Sequence, residues 1–148
     1  MKVQINLDEN QKETLVTITT DKITDEILEL QKQLQSADRN KSYIKGYLED
    51  EVYLIPTEDI ETIYSENKKV FVRSNDKVYE LKQRLYEIEE ILPSKYFVRI
   101  SSSEIVNFKK VKNMNFKLTG TILINFNSGN YSYASRRYIK KIKEYLDI

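Results

Sequence analysis

From Tyr43 to Ala134 the apolar residues recur mostly at every second position, in runs of about five residues parted by clusters of turn formers. Such a chain can hide its apolar surface only by setting short strands edge to edge, which predicts an α+β, mostly β fold of small antiparallel sheets with short helices. Ile44–Leu48, Glu51–Ile55, Ile60–Tyr64, Val70–Arg73 and Val78–Glu80 read as strands, with turns at Pro56–Asp59, Ser65–Lys69 and Ser74–Lys77. A second run follows Pro93: Tyr96–Ile100, Val111–Leu118, Thr121–Phe126 and Tyr131–Ala134, joined through Thr119-Gly120 and Asn127–Asn130. Helical spacing interrupts three times, at Ile23, Ile27, Leu30 and Leu34, at Leu81, Leu85, Ile88 and Leu92, and at Tyr138, Ile142 and Tyr145. Pro93 ends the second of these. The 11 tyrosines suit half-buried sheet positions, with base stacking as the lesser reading.

Ahead of Tyr43, Val3-Gln4-Ile5-Asn6-Leu7 and Leu15-Val16-Thr17-Ile18-Thr19 alternate apolar and polar residues, and the Ile23–Leu34 stripe follows with Asp25 and Glu26 in its first turn. A short β-β-α extension over residues 1–42, serving self-association or partner control rather than DNA contact, is the expectation, with residues 43–148 as the main domain. The polar stretch Gln35–Ser42, which has no apolar period, is the boundary. With 3 Gly and 2 Pro there is no flexible linker, and no internal repeat stands out.

Absent residue types remove whole classes of chemistry. With Cys 0 there are no disulfides, thiolate nucleophiles or cysteine metal sites, and with His 0 no Ser-His-Asp triad and none of the commonest metal ligand. The acids Glu49-Asp50-Glu51 lack the spacing of a calcium loop. No apolar run makes a secretory signal or reaches the roughly 18 residues of a membrane span. A cytoplasmic binding protein is expected, not an enzyme, with no cofactor, metal or small-molecule substrate.

The formal net charge of +1 hides a division at Pro93. Residues 1–92 hold 13 Lys and Arg against 20 Asp and Glu, a net of −7, while residues 93–148 hold 11 against 3, a net of +8. A carboxy-terminal third with so few acids is the electrostatic footprint of a polyanion partner.

Within that third, Tyr131-Ser132-Tyr133-Ala134-Ser135-Arg136-Arg137-Tyr138 sets Ser135 to cap a helix whose first turn carries two arginines. The helix dipole disfavours cations there by about 0.3–1 kcal/mol each, so Arg136 and Arg137 suit an external anion, and their forked donors match phosphate and the guanine edge. The stretch from Arg99 to Asn113 passes Ser101-Ser102-Ser103 into a basic, amide-bearing segment with Asn107, Lys109 and Lys110, whose small donors and acceptors suit phosphates and groove edges. Serine runs more often form turns, and Asn107 could equally serve buried backbone groups. Lys68 and Lys69 sit at a hairpin tip.

Ile60–Tyr64, the block from Tyr96 through Asn107 and Ala134-Ser135-Arg136-Arg137-Tyr138 closely resemble, in order and separation, the signature blocks of the LytTR DNA-binding domain, over roughly residues 43–148. The resemblance implies an elongated fold of small antiparallel sheets, not a helix-turn-helix. It implies loops entering successive major grooves of double-stranded promoter DNA, usually at paired direct repeats. By position, the base-reading candidates are Lys69, Ser102 and Arg137. Relatives often hold His or Asn at the first two positions, so the preferred bases are not inherited. Residues 1–42 are too few for the receiver domain of about 120 residues that many LytTR proteins carry, so control by phosphorylation is not expected. A homodimer on DNA would suit paired direct repeats, and by analogy with stand-alone relatives restraint by a small membrane protein is further implied. Two other classes stay open on the residues alone: an interaction module docking through the acidic amino-terminal half, and an RNA binder using exposed aromatics.

Overall fold

The computed structural model of the chain describes residues 1–36, 42–116 and 120–148. Ten strands and three helices follow in the order α1 (Asp25–Ser36), β1 (Tyr43–Leu48), β2 (Glu51–Pro56), β3 (Ile60–Glu66), β4 (Lys69–Ser74), β5 (Lys77–Leu81), α2 (Leu85–Ile91), β6 (Phe97–Ser101), β7 (Glu104–Asn107), β8 (Val111–Asn115), β9 (Thr121–Phe126), β10 (Tyr131–Ser135) and α3 (Ile139–Leu146). Seven strands form an antiparallel sheet in the order β2-β1-β5-β4-β3-β7-β6, and three form a second in the order β10-β9-β8. The α+β, mostly β expectation holds.

Alternation assigns each strand its buried face. On β4, Val70 and Val72 turn inward to meet Tyr79 and Leu81 of β5 and Ile63 of β3, and α2 closes this core with Leu85 and Ile88. Gly46 sits in the middle of β1 because a Cβ there would come 2.8 Å from that of Tyr79. The second core lies between the sheets: Val98 and Ile100 of β6 and Val106 of β7 meet Ile122, Ile124 and Phe126 of β9, Ala134 of β10 and Ile142 of α3. Strands β6 and β7 therefore serve both cores, with Phe97 and Ile105 in the first and Val98 and Val106 in the second.

Two carboxylates bind the sheets together. Glu61 is the extra residue of a β3 bulge between Ile60 and Thr62. It accepts from Arg73 Nε at 2.6 Å, Asn130 Nδ2 at 3.1 Å and the Ser128 hydroxyl, so it ties the β9–β10 hairpin to β3 and β4. Glu104 accepts from Thr62 Oγ1 at 2.5 Å and Ser132 Oγ at 2.6 Å. Each links strands distant in sequence, and neither appeared among the sequence candidates.

Three sequence expectations need correcting. Strand β7 was not anticipated: its apolar residues Ile105 and Val106 are adjacent, since both faces are covered, and so show no alternation. The second helix begins at Leu85, because Leu81 ends β5 and faces the first core. Largest is the change in the extension. Only its helix forms, capped by the Thr24 hydroxyl, which accepts from the Ile27 amide at 3.3 Å. Val3–Leu7 and Leu15–Thr19 carry no strand, and Val3, Ile5 and Leu7 are 85%, 85% and 95% exposed. Strands need partners for their amides and carbonyls, and no described backbone hydrogen bond pairs these two with each other or with the sheets. Of the predicted boundary, residues 37–41 lie outside the described residues, as do residues 117–119 of the predicted Val111–Leu118 strand and Thr119-Gly120 turn.

Candidate nucleic-acid interface

The β3–β4 hairpin turns on Asn67 and Lys68, both left-handed with φ of 51° and 66°, the pair of conformations a tight two-residue hairpin demands. This lifts Lys68 to the tip, with Lys69 opening β4. The Lys69 ammonium reaches a Glu80 oxygen only at 4.0 Å, and both side chains are largely in solvent, so the pairing contributes little.

Beside this tip lies the turn from β6 to β7. The Ser65 amide donates to the Ser103 carbonyl at 2.8 Å, and Tyr64 faces Glu104 in register. Two segments almost forty residues apart thus share one end of the sheet. Ser101 Oγ accepts from the Ser103 amide at 3.2 Å and lies 3.3 Å from the Ser103 hydroxyl, a closed local pair that leaves Ser102 exposed at the crest. Beneath it Arg99 donates from Nε to the Ser101 carbonyl at 2.7 Å and from Nη2 to the Ser102 carbonyl at 2.5 Å. Its Nη1 donates to Glu89 of α2 at 2.6 Å. Arg99 is largely buried and holds the turn that carries Ser102, a role missed in the sequence because it depends on two carbonyls and a helix from an earlier segment.

The third element arrives from the other sheet. Strand β10 starts beside Glu104, packs across β6 and ends at a 3-10 turn over Arg136–Tyr138 that also rests on β6. Helix α3 then runs back along β6. Its Lys141 lies 3.6 Å from Glu89, the partner of Arg99, and its Tyr145 hydroxyl donates to the Lys95 carbonyl. The start of α3 therefore lies toward the Ser101 end of β6. Arg136 and Arg137 are exposed, and neither has an ion-pair partner within 4.0 Å among the described residues. Arg136 lies over Gly120, where φ is +78° and an added Cβ would come 2.5 Å from Nη2. Ser135 precedes the 3-10 turn with extended backbone but makes no side-chain cap, a departure from the sequence expectation.

The acids at this end are Glu66, exposed and facing Lys69 beside the hairpin turn, Glu80 at 4.0 Å from Lys69, and Glu104, which is engaged by two hydroxyls. Burial pushes the Tyr64 phenol above its ordinary range, with Arg73 pulling the other way, so it stays a neutral hydroxyl.

Three predicted site residues stand apart. Asn107 is 1% exposed: its Nδ2 donates to the Ile60 carbonyl at 2.8 Å and its Oδ1 accepts from the Lys109 amide at 3.0 Å. Both ends of the amide serve the fold, so Asn107 leaves the DNA-facing set. Lys109 and Lys110 follow β7 at the opposite end from Ser102, where the Lys109 ammonium stands 3.6 Å from the centre of the Tyr96 ring.

The family model described as the LytTr DNA-binding domain matches residues 50–147. Over all 148 residues the chain is 33% identical to uncharacterized HTH-type transcriptional regulators of Staphylococcus aureus strains NCTC 8325 and COL, and it spans 99% of each. A solved LytTr DNA-binding domain, of a methyl-accepting/DNA response regulator from Bacillus cereus, superposes with a TM-score of 0.71 at 24% identity, over 74% of this chain and all of that one. That likeness establishes the fold. Although the relatives are named as helix-turn-helix regulators, five strands separate each helix from the next here, and no helix-turn-helix pair occurs among the described residues.

Proposed function

The chain belongs to the LytTr DNA-binding domain family, and from that premise we propose that it is a sequence-specific regulator of transcription. In this reading it presents Lys69, Ser102 and Arg137 to the major grooves of duplex DNA. One observation carries the reading. The Lys68-Lys69 tip and the Ser102 crest share one sheet end, the Arg136-Arg137 turn comes in from the second sheet, and neither arginine is neutralised by a described carboxylate. Lys68, Ser101 and Arg136 support these readers against the backbone, and Lys109 and Lys110 serve as phosphate anchors on the far side. Loops inserted into successive grooves at paired direct repeats complete the reading.

Selection of bound sites from random duplexes, followed by titration of the best site, tests it. Arg137→Ala is expected to weaken that site by about 1–3 kcal/mol and to relax preference at one base position, as loss of a bidentate guanine contact does. Lys109→Ala should weaken all sequences alike. If neutralising about 5 phosphates drives binding, the log-log salt slope falls near −4 to −5. Equal losses on specific and random DNA for Arg137→Ala would reduce Arg137 to a phosphate contact.

A further inference from the structure

Among the described residues no backbone hydrogen bond reaches residues 2–7, yet their sequence is complementary to itself. We propose that residues 2–8 pair antiparallel with the same residues of a second copy about a two-fold axis at Ile5, making the extension a dimerisation element independent of how the domain meets DNA. In that register Lys2 faces Asp8, Val3 faces Leu7, Gln4 faces Asn6 and Ile5 faces its own copy. One face of the ribbon is then wholly apolar. The other carries amide pairs flanked at both ends by opposite charges.

No other two-fold register does this. Shifted by one pair in one direction, Val3 meets Glu9; shifted in the other, Lys2 meets Asn6 and loses its opposite charge. The structure supplies the vacancy such pairing needs: among the described residues no backbone hydrogen bond involves residues 2–7, and Val3, Ile5 and Leu7 are almost fully exposed. A turn at Asp8–Gln11, closed by the Gln11 amide on the Asp8 carbonyl at 3.1 Å, ends the segment where the register ends.

The area is of the right order. Val3, Ile5, Leu7, Leu15, Val16, Ile23, Leu28 and Leu34 are all between 39% and 95% exposed. At about 60–120 Å² for each such side chain, they offer roughly 500–1,000 Å² per copy. A stable interface takes about 800 Å² per partner. A lone two-stranded ribbon is marginal, so the two α1 helices, whose apolar stripe is exposed at Ile23 and Leu34 and half-buried at Ile27 and Leu30, are the cover for its apolar face.

The chain has no cysteine, which allows a direct test on the full-length protein. Residues directly opposite in an antiparallel pair have Cα atoms about 4.5–5.5 Å apart, within disulfide reach, so Ile5→Cys should give a covalent dimer under mild oxidation. Val3→Cys should not, because its own copy lies about 13 Å away along the strand. Sedimentation across micromolar concentrations should show dimers of the parent chain. Lys2→Asp should weaken them at least tenfold, and the exchange Lys2→Asp with Asp8→Lys should restore them. A hairpin within one chain could set residue 2 opposite residue 8 only by turning over Gln4–Asn6 and would leave the chain monomeric, so rescue of the dimer by the exchange is specific to this register. A parent chain that stays monomeric, cross-linking equal for Ile5→Cys and Val3→Cys, or a dimer indifferent to the charge exchange would each overturn the proposal. Unchanged circular dichroism confirms that the domain still folds in every variant.

Discussion

Val3–Leu7 and strand β9 each place an apolar residue at every second position and end in opposite states. Val3, Ile5 and Leu7 alternate with polar residues and stand in solvent, whereas Ile122, Ile124 and Phe126, also spaced by two, are at most 1% exposed. The difference lies in their neighbours: β9 has β8 on one edge and β10 on the other, with β6 and β7 beneath, and Val3–Leu7 has none of these. An alternating pattern chooses which face of a strand is apolar. It does not supply the partner that makes the strand.

That contrast can be broken first in the core. Ile124→Ala leaves a void in the second core and is expected to destabilise the domain by about 2–5 kcal/mol, whereas Ile5→Ala, measured by urea denaturation at a concentration where the chain is monomeric, should stay within about 0.5 kcal/mol. A comparable loss at Ile5 would mean that the extension already packs on the domain. A smaller effect separates the buried amide from the DNA-facing set. Asn107→Ala strands the Ile60 carbonyl and the Lys109 amide and is expected to cost about 1–3 kcal/mol of stability while leaving base preference unchanged. Altered preference in a folded variant would return Asn107 to the interface. Smallest in stability is Arg99→Lys, which keeps the charge but loses the fork on the Ser101 and Ser102 carbonyls. It should lower affinity for the selected site more than for random duplex, with stability changed by about 1 kcal/mol or less, as competition binding and thermal melts would show.

The uneven legibility of the sequence has the same source. The strands with one covered face, β4 and β9 above all, were plain from their period, and Pro93 marked the end of α2 within one residue of its last turn. Strand β7 was hidden by being covered twice. In the site, the exposed lysines and arginines could be named from charge and turn position alone. Their convergence could not, because it depends on β3 lying beside β7 and on β10 crossing from the second sheet. Asn107 and the two lysines after it looked like one basic patch in sequence. Four residues of strand carry them to the other end of the sheet.

Lys68 occupies a left-handed position where a β-carbon costs roughly 1–2 kcal/mol and glycine is the residue that tight hairpins prefer. Lys68→Gly would relax the turn, and the chain forgoes that relief to hold an ammonium group at the outermost point of the hairpin. Selection for thermal endurance alone would therefore favour the substitution and, in the proposed reading of Lys68 as a backbone contact, erode the grip on DNA with it. At this one residue, hardiness and affinity pull in opposite directions.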